Sequence, residues 1–454
     1  MSLCRFRPVA AQVVCHAHSV RTFSASVAPR SISAWKKGGG KGNSSAGEAF
    51  APTIRARKSV KWQNEEITLG DWKPSKAETI NIGEILRLPE KVRQGATNAP
   101  GGLYPPVLAR EGLSAFMLRK HTLDVLSTIE AESAKTESEN VYVLDGPRGS
   151  GKTVTLLQAV SHFVQAGWIL IYVPQPIHWV NGTQPFDPLP TEDNARPQFA
   201  QPTVASQFLE QFLKINNEAA LRSIAVEGEG EQTVLSVAQE GIARPATAQA
   251  ALGTLLEALA NDTKRSPVLI AIDQANALYA KTAYHDVESR AVTGDQLATI
   301  KSLISLLSQE KRLKKGAIVC AIDRSNTQFP SPLLESLIAS APSVSTPAVA
   351  SLKSPEGRRA ADFSHVDQYG VLLSPKASPA SYDPLTTADS IHPRNLKRID
   401  VPIYNKFELA SVLDYYHTCK QLAGVDSISR EYVEKEWTAT GGNALKVYKR
   451  CLSL

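Results

Sequence analysis

The chain has 454 residues and a formal net charge of +6, with 43% hydrophobic residues and a mean hydropathy of −0.18. A chain of this length can bury a large core and form more than one domain. No apolar run approaches the roughly 20 residues needed to cross a bilayer, so we expect no transmembrane segment. The five cysteines form no C-x-x-C pair, which argues against a zinc site or a disulfide framework.

The basic excess lies wholly in residues 1–47, which contain seven Lys or Arg residues and no Asp or Glu. From Glu48 onward the chain has 43 basic and 44 acidic residues. A segment rich in Arg, Ser and Ala without a long apolar core is typical of a mitochondrial transit peptide. We therefore predict a transit peptide and flexible join over residues 1–47, and a location in the mitochondrial matrix. A disordered basic tail that binds RNA or an acidic surface is the alternative.

Residues 48–110 are rich in Pro and Gly and are predicted to form an irregular N-terminal extension. They include a short basic and aromatic arm, residues 55–58 with Lys61 and Trp62. Such an arm suits contact with RNA phosphates and stacking on a base, although an ordinary solvated tail is an equally good interpretation. After this extension, a helix is predicted from the helical spacing of Phe116, Leu123, Leu126 and Ile129.

The segment 146–153 follows an apolar run and fills every fixed position of the phosphate-binding pattern G-x-x-x-x-G-K-[ST]. Glycines let the backbone curl until several N–H groups point at one phosphate. The lysine charge would lie against the β and γ phosphates, and the threonine hydroxyl is a Mg²⁺ ligand. Helical spacing after the segment favours this interpretation over a plain glycine-rich turn. The predicted nucleotide-binding residues of the loop are Gly146, Pro147, Arg148, Gly149, Ser150, Gly151, Lys152 and Thr153.

Short apolar runs alternate with helical stretches through the rest of the chain. This alternation predicts an α/β fold, with a parallel sheet and helices on both faces. Pro402 implies that the fifth strand is an edge strand, or that the proline lies at the end of the strand. The predicted strands cover residues 141–144, 168–173, 268–272, 317–322 and 399–403.

Three segments interrupt this alternation. Residues 181–203 and about 340–390 are rich in Pro, Ser, Ala and Thr and lack periodicity, so we predict surface insertions there. Residues 224–246 contain Glu-Gly repeats and are predicted to be a loop between helices.

A second part of the nucleotide site is predicted after the strand 268–272, where Asp273 follows five apolar residues. In P-loop proteins a carboxylate at this place reaches the Mg²⁺ shell, so Thr153 and Asp273 are the predicted metal ligands. Gln274 stands where many ATPases carry a glutamate that activates water. Because an amide cannot take a proton, we expect nucleotide binding with slow or absent hydrolysis.

Two further polar groups have competing interpretations. Asp323, Arg324 and Asn326 follow the fourth strand, where related folds place a polar residue near the γ-phosphate, but loop capping explains them equally well. Asn405 and Glu408 superficially match the guanine-reading pattern N-K-x-D. They fit a helix N-cap and its N3 partner better, so these residues do not identify the base.

Together, the phosphate loop, the run 268–276, the segment 321–326 and the late runs 401–404 and 413–416 resemble a known family. It is the death-associated-protein-3 family of mitochondrial small-subunit ribosomal proteins, in a fungal-type form. The resemblance extends from about residue 80 to the C-terminus, apart from the insertions. The phosphate loop alone would fit many families, and its combination with the presequence, Gln274 and the C-terminal helices points to this one.

The resemblance implies a P-loop NTPase fold of the AAA+-like kind with a small C-terminal helical lid. The nucleotide-binding domain would cover residues 111–403 and the lid residues 404–454. The implied cofactors are GTP or GDP, with ATP as the alternative, and Mg²⁺. AAA+ lids often offer an arginine to the nucleotide, whereas this chain has Leu445 and Lys446 in that place.

The predicted function is that of a structural component of the mitochondrial ribosome small subunit, which binds a guanine nucleotide with Mg²⁺ and has little or no hydrolytic activity. The alternative is a mitochondrial AAA+-type ATPase or remodelling enzyme. The expected partners are small-subunit ribosomal proteins and rRNA, without a homo-oligomer. Because the chain after residue 47 is nearly neutral, we expect mainly protein contacts, with local RNA contacts from basic patches. Arg394, Lys397 and Arg398 form one such patch, although exposed charge on a loop is the commoner explanation of such residues.

Overall fold

The computed structural model describes residues 70–72, 82–90, 92, 115–190, 196–226, 232–262, 265–308, 310–324, 331–344, 392–422 and 424–452. All of them belong to the unit Asn64–Leu454. The predicted transit peptide, the basic arm, Asn326 and the predicted insertion beyond residue 344 lie outside the described residues.

Twelve strands and twelve helices are described in chain order, together with 3-10 turns at Ala275–Tyr279 and Gly294–Gln296. The strands are β1 (Gly70–Asp71), β2 (Ile85–Arg87), β3 (Ala115–Met117), β4 (Val141–Asp145), β5 (Ile169–Val173), β6 (Asp187–Pro188), β7 (Phe199–Ala200), β8 (Val268–Ile272), β9 (Lys281–His285), β10 (Ala291–Thr293), β11 (Gly316–Ala321) and β12 (Leu396–Asp400). The helices are α1 (Lys120–Ser133), α2 (Lys152–Gln165), α3 (Ile177–Val180), α4 (Pro202–Ile215), α5 (Glu218–Arg222), α6 (Val234–Ala243), α7 (Pro245–Asn261), α8 (Ala298–Leu307), α9 (Pro332–Ser340), α10 (Lys406–Thr418), α11 (Arg430–Thr440) and α12 (Ala444–Leu452).

The central sheet has five strands in the order β12-β4-β11-β8-β5. Every neighbouring pair in it is parallel. The middle strand β11 pairs on one side with the strand before the glycine-rich loop, and on the other with the strand that ends before Asp273. Because the strands are parallel, their carboxyl ends meet at one edge, where the predicted site residues follow them.

Each central strand sends alternate side chains to opposite faces of the sheet. Val143 belongs to the apolar cluster on one face and Leu144 to the cluster on the other. Helices α1 and α2 cover the Leu144 face, while α4, α6, α7 and α8 cover the Val143 face. The predicted α/β class, with a parallel sheet flanked by helices on both faces, is therefore confirmed.

Two local predictions were wrong. Phe116 lies in β3 rather than in a helix, because the chain is still extended at Arg119 and α1 begins only at Lys120. The predicted loop 224–246 contains all of α6, whose first turn carries a capping box between Thr233 and Ser236. Gly241 does not break this helix, since a Cβ there would lie 2.5 Å from Leu209 Cδ1 and glycine permits close packing against α4.

Two other segments depart partly from expectation. The segment 181–203 includes the β6–β7 ribbon and the buried Phe199, so part of it belongs to the core instead of a surface insertion. The fifth strand covers Leu396–Asp400 instead of 399–403, and it is an edge strand that ends before Pro402. A proline lacks the N–H that a ladder needs, which explains this end.

The C-terminal helices α10, α11 and α12 form a third apolar cluster. Leu409 and Leu413 of α10, Val433 of α11 and Val447 of α12 meet there, together with Met117 of β3. This cluster attaches the C-terminal helices to the strand that precedes α1. Among the described residues, no helix has both the length and the apolar character that a bilayer crossing would require.

Candidate functional site

The glycine-rich loop 146–153 connects β4 to α2, as the sequence predicts. Gly149 and Gly151 have φ angles of 79° and 105°, in a backbone region that residues other than glycine rarely adopt. A Cβ on Gly149 would also lie 2.5 Å from Leu445 Cβ. The loop therefore requires glycine both for its curl and for the close approach of a second segment.

Lys152 is the first residue of α2 and its side chain folds back over the loop. Its Nζ donates to Gly146 O at 2.8 Å and to Pro147 O at 3.1 Å. Burial lowers the pKa of this ammonium group, while the nearby carboxylate of Asp145 acts in the opposite direction. The charges of Arg324, Asp323 and Asp273 also act on the pKa of this group.

The two predicted metal ligands lie beside each other. The Thr153 hydroxyl acts on the Asp273 carboxyl and lowers its pKa, and this carboxylate accepts the Gln274 backbone N–H at 2.9 Å. Burial raises the pKa of Asp273 to about 6, because the charged form loses hydration at this position. The Asp273 N–H donates to Val173 O at 2.8 Å, which fixes the carboxylate at the carboxyl edge of the sheet.

Two buried polar atoms at the site have no hydrogen-bond partner among the described residues. They are the Ser150 hydroxyl oxygen and the amide oxygen of Gln274. Gln274 also has a φ of 52°, an uncommon left-handed conformation for a residue other than glycine. Buried orphan atoms and strained backbone concentrate at binding sites, so both observations agree with the placement of a site here.

An ion pair that the sequence analysis did not predict lies next to the loop. Arg324 Nε donates to Asp145 Oδ1 at 2.9 Å, and its Nη2 donates to Asp145 Oδ2 at 3.0 Å. The same carboxylate accepts the Gly146 N–H at 2.7 Å. The neighbouring Asp323 donates its backbone N–H to the Asn276 side chain at 3.0 Å.

A second unpredicted residue, Arg119, joins the loop to the C-terminal helices. It is buried and donates twice to the Glu408 carboxylate, at 2.9 and 3.0 Å. It also donates to Ser150 O in the loop and to the Pro402 and Ile403 carbonyls before α10. One guanidinium group therefore contacts two segments, the loop and residues 402–408, that are far from Arg119 and from each other in the sequence.

The start of α12 contacts the outer side of the loop. Asn443 Nδ2 donates to Arg148 O at 2.7 Å, and the Leu445 N–H donates to Gly149 O at 3.2 Å. We call Asn443 and Leu445 the loop clamp. The place where AAA+ lids often offer an arginine is thus occupied by residues that hold the loop backbone, while Lys446 is exposed.

Two other sequence interpretations have clear outcomes. Asn405 and Glu408 form the predicted capping box at the start of α10, so the helix-capping interpretation is confirmed. The predicted basic patch of Arg394, Lys397 and Arg398 was wrong in one member. Arg394 is buried and donates to the carbonyls of Leu306 in the last turn of α8 and of Ser308 and Lys311 after it, which leaves it no part in a surface patch.

The fold and the site define a class of protein: a parallel α/β domain with a glycine-rich loop and a carboxylate at the same edge of its sheet. Comparison with known proteins adds the family. The model of the family described as "Mitochondrial ribosomal death-associated protein 3" matches residues 116–450. The chain belongs to this family, which confirms the resemblance found in the sequence.

Curated relatives carry the name small ribosomal subunit protein mS29. The Bos taurus protein is 26% identical over 271 residues, which cover 56% of this chain and 66% of the bovine protein. The Neurospora crassa protein is 24% identical over 264 residues, which cover 55% of each. The Schizosaccharomyces pombe protein is 23% identical over 280 residues, 56% of this chain and 57% of that protein. The chain thus spans between about half and two thirds of these relatives, and the predicted mitochondrial ribosomal location is that of the family.

Proposed function

We propose that this protein is a structural component of the small subunit of the mitochondrial ribosome. The match of one ribosomal family model to residues 116–450 carries the proposal, and the names of the curated relatives agree with it. Its partners would be small-subunit ribosomal proteins and rRNA. The same comparisons favour this function over the alternative of a remodelling ATPase.

We further propose that the domain is a P-loop NTPase fold of the AAA+-like kind, with α10, α11 and α12 as its helical lid. The strand order supports this, because β11 separates the strand before the loop from the strand that ends before Asp273. In AAA+-like domains one strand likewise lies between the phosphate-loop strand and the acidic strand. The contacts of Asn443 and Leu445 with the loop support this assignment, since a lid would lie against the loop.

The residues at the loop fit a nucleotide with Mg²⁺. The backbone amides of the loop and the orphan hydroxyl of Ser150 would bind phosphate oxygens, and the Lys152 ammonium would supply the positive charge. The Thr153 hydroxyl and the Asp273 carboxylate would supply oxygen ligands of the kind that Mg²⁺ prefers. The bound cation would favour the charged form of Asp273 and offset the effect of burial.

Hydrolysis is expected to be slow or absent, because the residue after Asp273 is Gln274. Its amide oxygen can accept a hydrogen bond from water but cannot remove a proton at neutral pH. A nucleotide held without turnover acts as a structural ligand. It stabilises the folded state according to its concentration and its affinity. The guanine preference is proposed from the family resemblance, with an adenine nucleotide as the alternative.

The ribosomal assignment is tested by sedimentation of mitochondrial extracts that contain the tagged protein at its native level. The protein should migrate with the small ribosomal subunit. If most of the protein sediments apart from the subunit, the proposal is contradicted. The purified particles are then denatured, and the released nucleotide is identified by chromatography.

The Lys152→Ala variant tests the nucleotide assignment in the same particles. It should enter the small subunit with its nucleotide content reduced at least about tenfold, since it lacks the charge that faces the phosphates. Lys135→Ala is the matched control, because Lys135 pairs with Glu132 and Glu139 away from the loop. Equal nucleotide content in wild-type and Lys152→Ala particles would refute the proposed site.

A further inference from the structure

The last helix, α12, has a strongly charged outer side. It carries three cations, Lys446, Lys449 and Arg450, and no acid. Val447 and Cys451 are buried in the third apolar cluster, so the helical period places Lys446 and Lys449 on the side away from that cluster. Both lysines are exposed, and they lie about 4.5 Å apart along the helix axis.

The glycine-rich loop adds a further cation to this side of the helix. Asn443 Nδ2 donates to Arg148 O at 2.7 Å, and Asn443 Oδ1 accepts the Lys446 N–H at 3.1 Å. One side-chain amide therefore holds the backbone of Arg148 next to that of Lys446. Arg148 is exposed as well. We call Arg148, Lys446 and Lys449 the basic face.

The basic face is not explained by the stability of the fold. Within the described part of the chain none of its three cations forms an ion pair, whereas Arg450 Nε pairs with Glu436 at 2.6 Å. Lys446 lies in the first turn of α12, which has no acid to balance it. A cation is unfavourable there, because the helix dipole has its positive end at the N-terminus. Only Lys449, in the last turn, would be favoured by the dipole.

The chemistry of this surface indicates the kind of partner. Protein interfaces have an apolar core from which lysine is depleted, whereas interfaces with nucleic acid are polar and positively charged. The large apolar side chains that are exposed in the described chain are Val287, Ile403 and Phe407, and none of them belongs to α12 or to the loop. Three unpaired cations without an apolar neighbour of this kind complement a polyanion better than a protein surface.

We propose that the basic face binds the phosphate backbone of RNA. The proposal rests on the function proposed above and deepens it, since it assigns the contact with rRNA to a particular surface. Lysine and arginine contacts with phosphates position a protein on the nucleic acid and carry no base sequence. Because Asn443 joins Arg148 to α12, the bound RNA would lie against the outer side of the glycine-rich loop.

The first test measures RNA binding by the purified full-length protein, with a fluorescently labelled oligouridine as the probe. At about 0.1 M salt, Lys446→Gln/Lys449→Gln should bind the probe about tenfold or more weakly, because two phosphate contacts are lost. The slope of log affinity against log salt concentration should become shallower by about 1.4. Adding Arg148→Gln should reduce the slope by about a further 0.7.

Two double variants are the controls. Lys446→Arg/Lys449→Arg keeps both charges and should bind the probe as the wild-type protein does. Arg222→Gln/Lys301→Gln removes two exposed cations outside the basic face, and its affinity should stay within about twofold of the wild-type value. The basic residues of segment 1–47 are present in every variant, so their contribution cancels in the comparison. Equal melting temperatures of all variants show that the fold is intact.

The second test identifies the partner in purified small subunits. After ultraviolet irradiation, cleavage after glutamate releases residues 437–454 as one peptide, because no Glu or Asp follows Glu436. This peptide should carry a cross-linked nucleotide. If a chemical cross-linker joins it to acidic protein segments and no nucleotide is found on it, the partner is a protein and the proposal is overturned.

The RNA measurement can also overturn the proposal. It does so if Lys446→Gln/Lys449→Gln keeps the wild-type affinity and salt slope, or if Arg222→Gln/Lys301→Gln shows an equal loss. These outcomes differ from a failure of the proposed function. If the protein does not sediment with the small subunit, that function fails, while binding of the probe by the purified protein still decides whether the basic face binds RNA.

Discussion

Arg119 shows how one buried charge can join distant segments. Its side chain is paired with Glu408, lies over the ring of Tyr404 at 5.0 Å from the ring centre, and donates to Ser150 O in the loop. Buried ion pairs add little net stability relative to an apolar replacement, but removing one partner leaves an uncompensated charge. Arg119 should therefore be sensitive to substitution although it is not part of the phosphate loop.

We predict that Arg119→Met lowers the free energy of unfolding by about 3–5 kcal/mol, because the Glu408 carboxylate is left buried and unpaired. Adding Glu408→Gln should recover part of the loss, since a glutamine keeps the capping box without the charge. Urea unfolding of the single and double variants measures both effects. Arg196→Met is the control: the Arg196 side chain is 47% exposed in its pair with Asp295, so the loss of unfolding free energy should stay below about 1 kcal/mol.

A double variant no more stable than Arg119→Met would contradict this account of the buried pair.

His121 makes the stability depend on pH. Burial, followed by the charge of Arg119, lowers the pKa of His121 to about 3 from an ordinary value of 6.5. The ring is within hydrogen-bond distance of the Thr155 hydroxyl, at 3.1 Å. Because the folded-state pKa is the lower one, the unfolded chain binds more protons between these values. The contribution of the neutral His121 to stability is therefore complete when the pH is above the ordinary histidine pKa, and it is lost as the pH falls below that pKa.

We predict that the wild-type protein loses about 1–2 kcal/mol of stability between pH 7 and pH 5 through this histidine alone. His121→Gln can keep a hydrogen bond to Thr155 and should lack that part of the pH dependence. The free energy of unfolding at the two pH values, measured for both proteins, gives the difference. His285→Gln, in the exposed hairpin, is the control and should lose as much stability between pH 7 and pH 5 as the wild-type protein. An equal loss in His121→Gln would refute the prediction.

The sequence predicted site residues whose motif has fixed positions and missed those that depend on distant partners. Lys152, Thr153 and Asp273 could be found because each occupies a set place after a strand. Arg119 and Asp145 could not, since their ionic partners lie 289 and 179 residues away in the sequence. Only the folded chain brings such pairs together.

At the scale of elements, apolar runs predicted the central strands well because both faces of the sheet are buried. The prediction failed where a glycine has a packing role. Gly241 suggested a loop, yet it lies inside α6, where the absence of a side chain lets Leu209 and Ala251 come close. From composition alone, a glycine that breaks a helix and one that permits close packing look the same.

Two helical glycines should respond in opposite ways to the same substitution. Gly241→Ala would place Cβ 2.5 Å from Leu209 Cδ1 and 2.8 Å from Ala251 Cβ, so we predict a net loss of about 1–3 kcal/mol. Gly253→Ala in α7 meets no atom within 4 Å and should add about 0.5–1 kcal/mol through helix propensity. Urea unfolding measures both changes in stability. A stabilised Gly241→Ala variant would show that α4 and α7 can move away from α6 at little cost in free energy.

At the scale of the whole molecule, the loop clamp connects the proposed nucleotide site to the C-terminal helices. Asn443 and Leu445 bond to the loop backbone, and Val447 of the same helix lies in the third apolar cluster. A ligand that orders the loop should therefore also order α12. Such coupling needs no change of shape, because ordering one segment lowers the cost of ordering the segment bonded to it.

We predict that GDP with Mg²⁺ slows hydrogen exchange in α12 as well as in the loop. In Asn443→Ala, the nucleotide should still protect the loop amides while the added protection of α12 is reduced. Mass spectrometry of exchanged peptides measures both. Asn217→Ala is the matched control. Asn217 caps α5, as Asn443 caps α12, but it contacts no part of the loop. If Asn443→Ala leaves the added protection of α12 unchanged, the coupling is refuted.

The loop clamp also has a consequence for the order of events during synthesis. The bond between Asn443 and Arg148 joins positions 295 residues apart. At ordinary translation rates, about 15–60 s pass between their appearance. During that interval the glycine-rich loop is already made, but its outer side stays without its partner. A chain interrupted before Asn443 would carry the complete loop sequence and lack the groups that finish its packing.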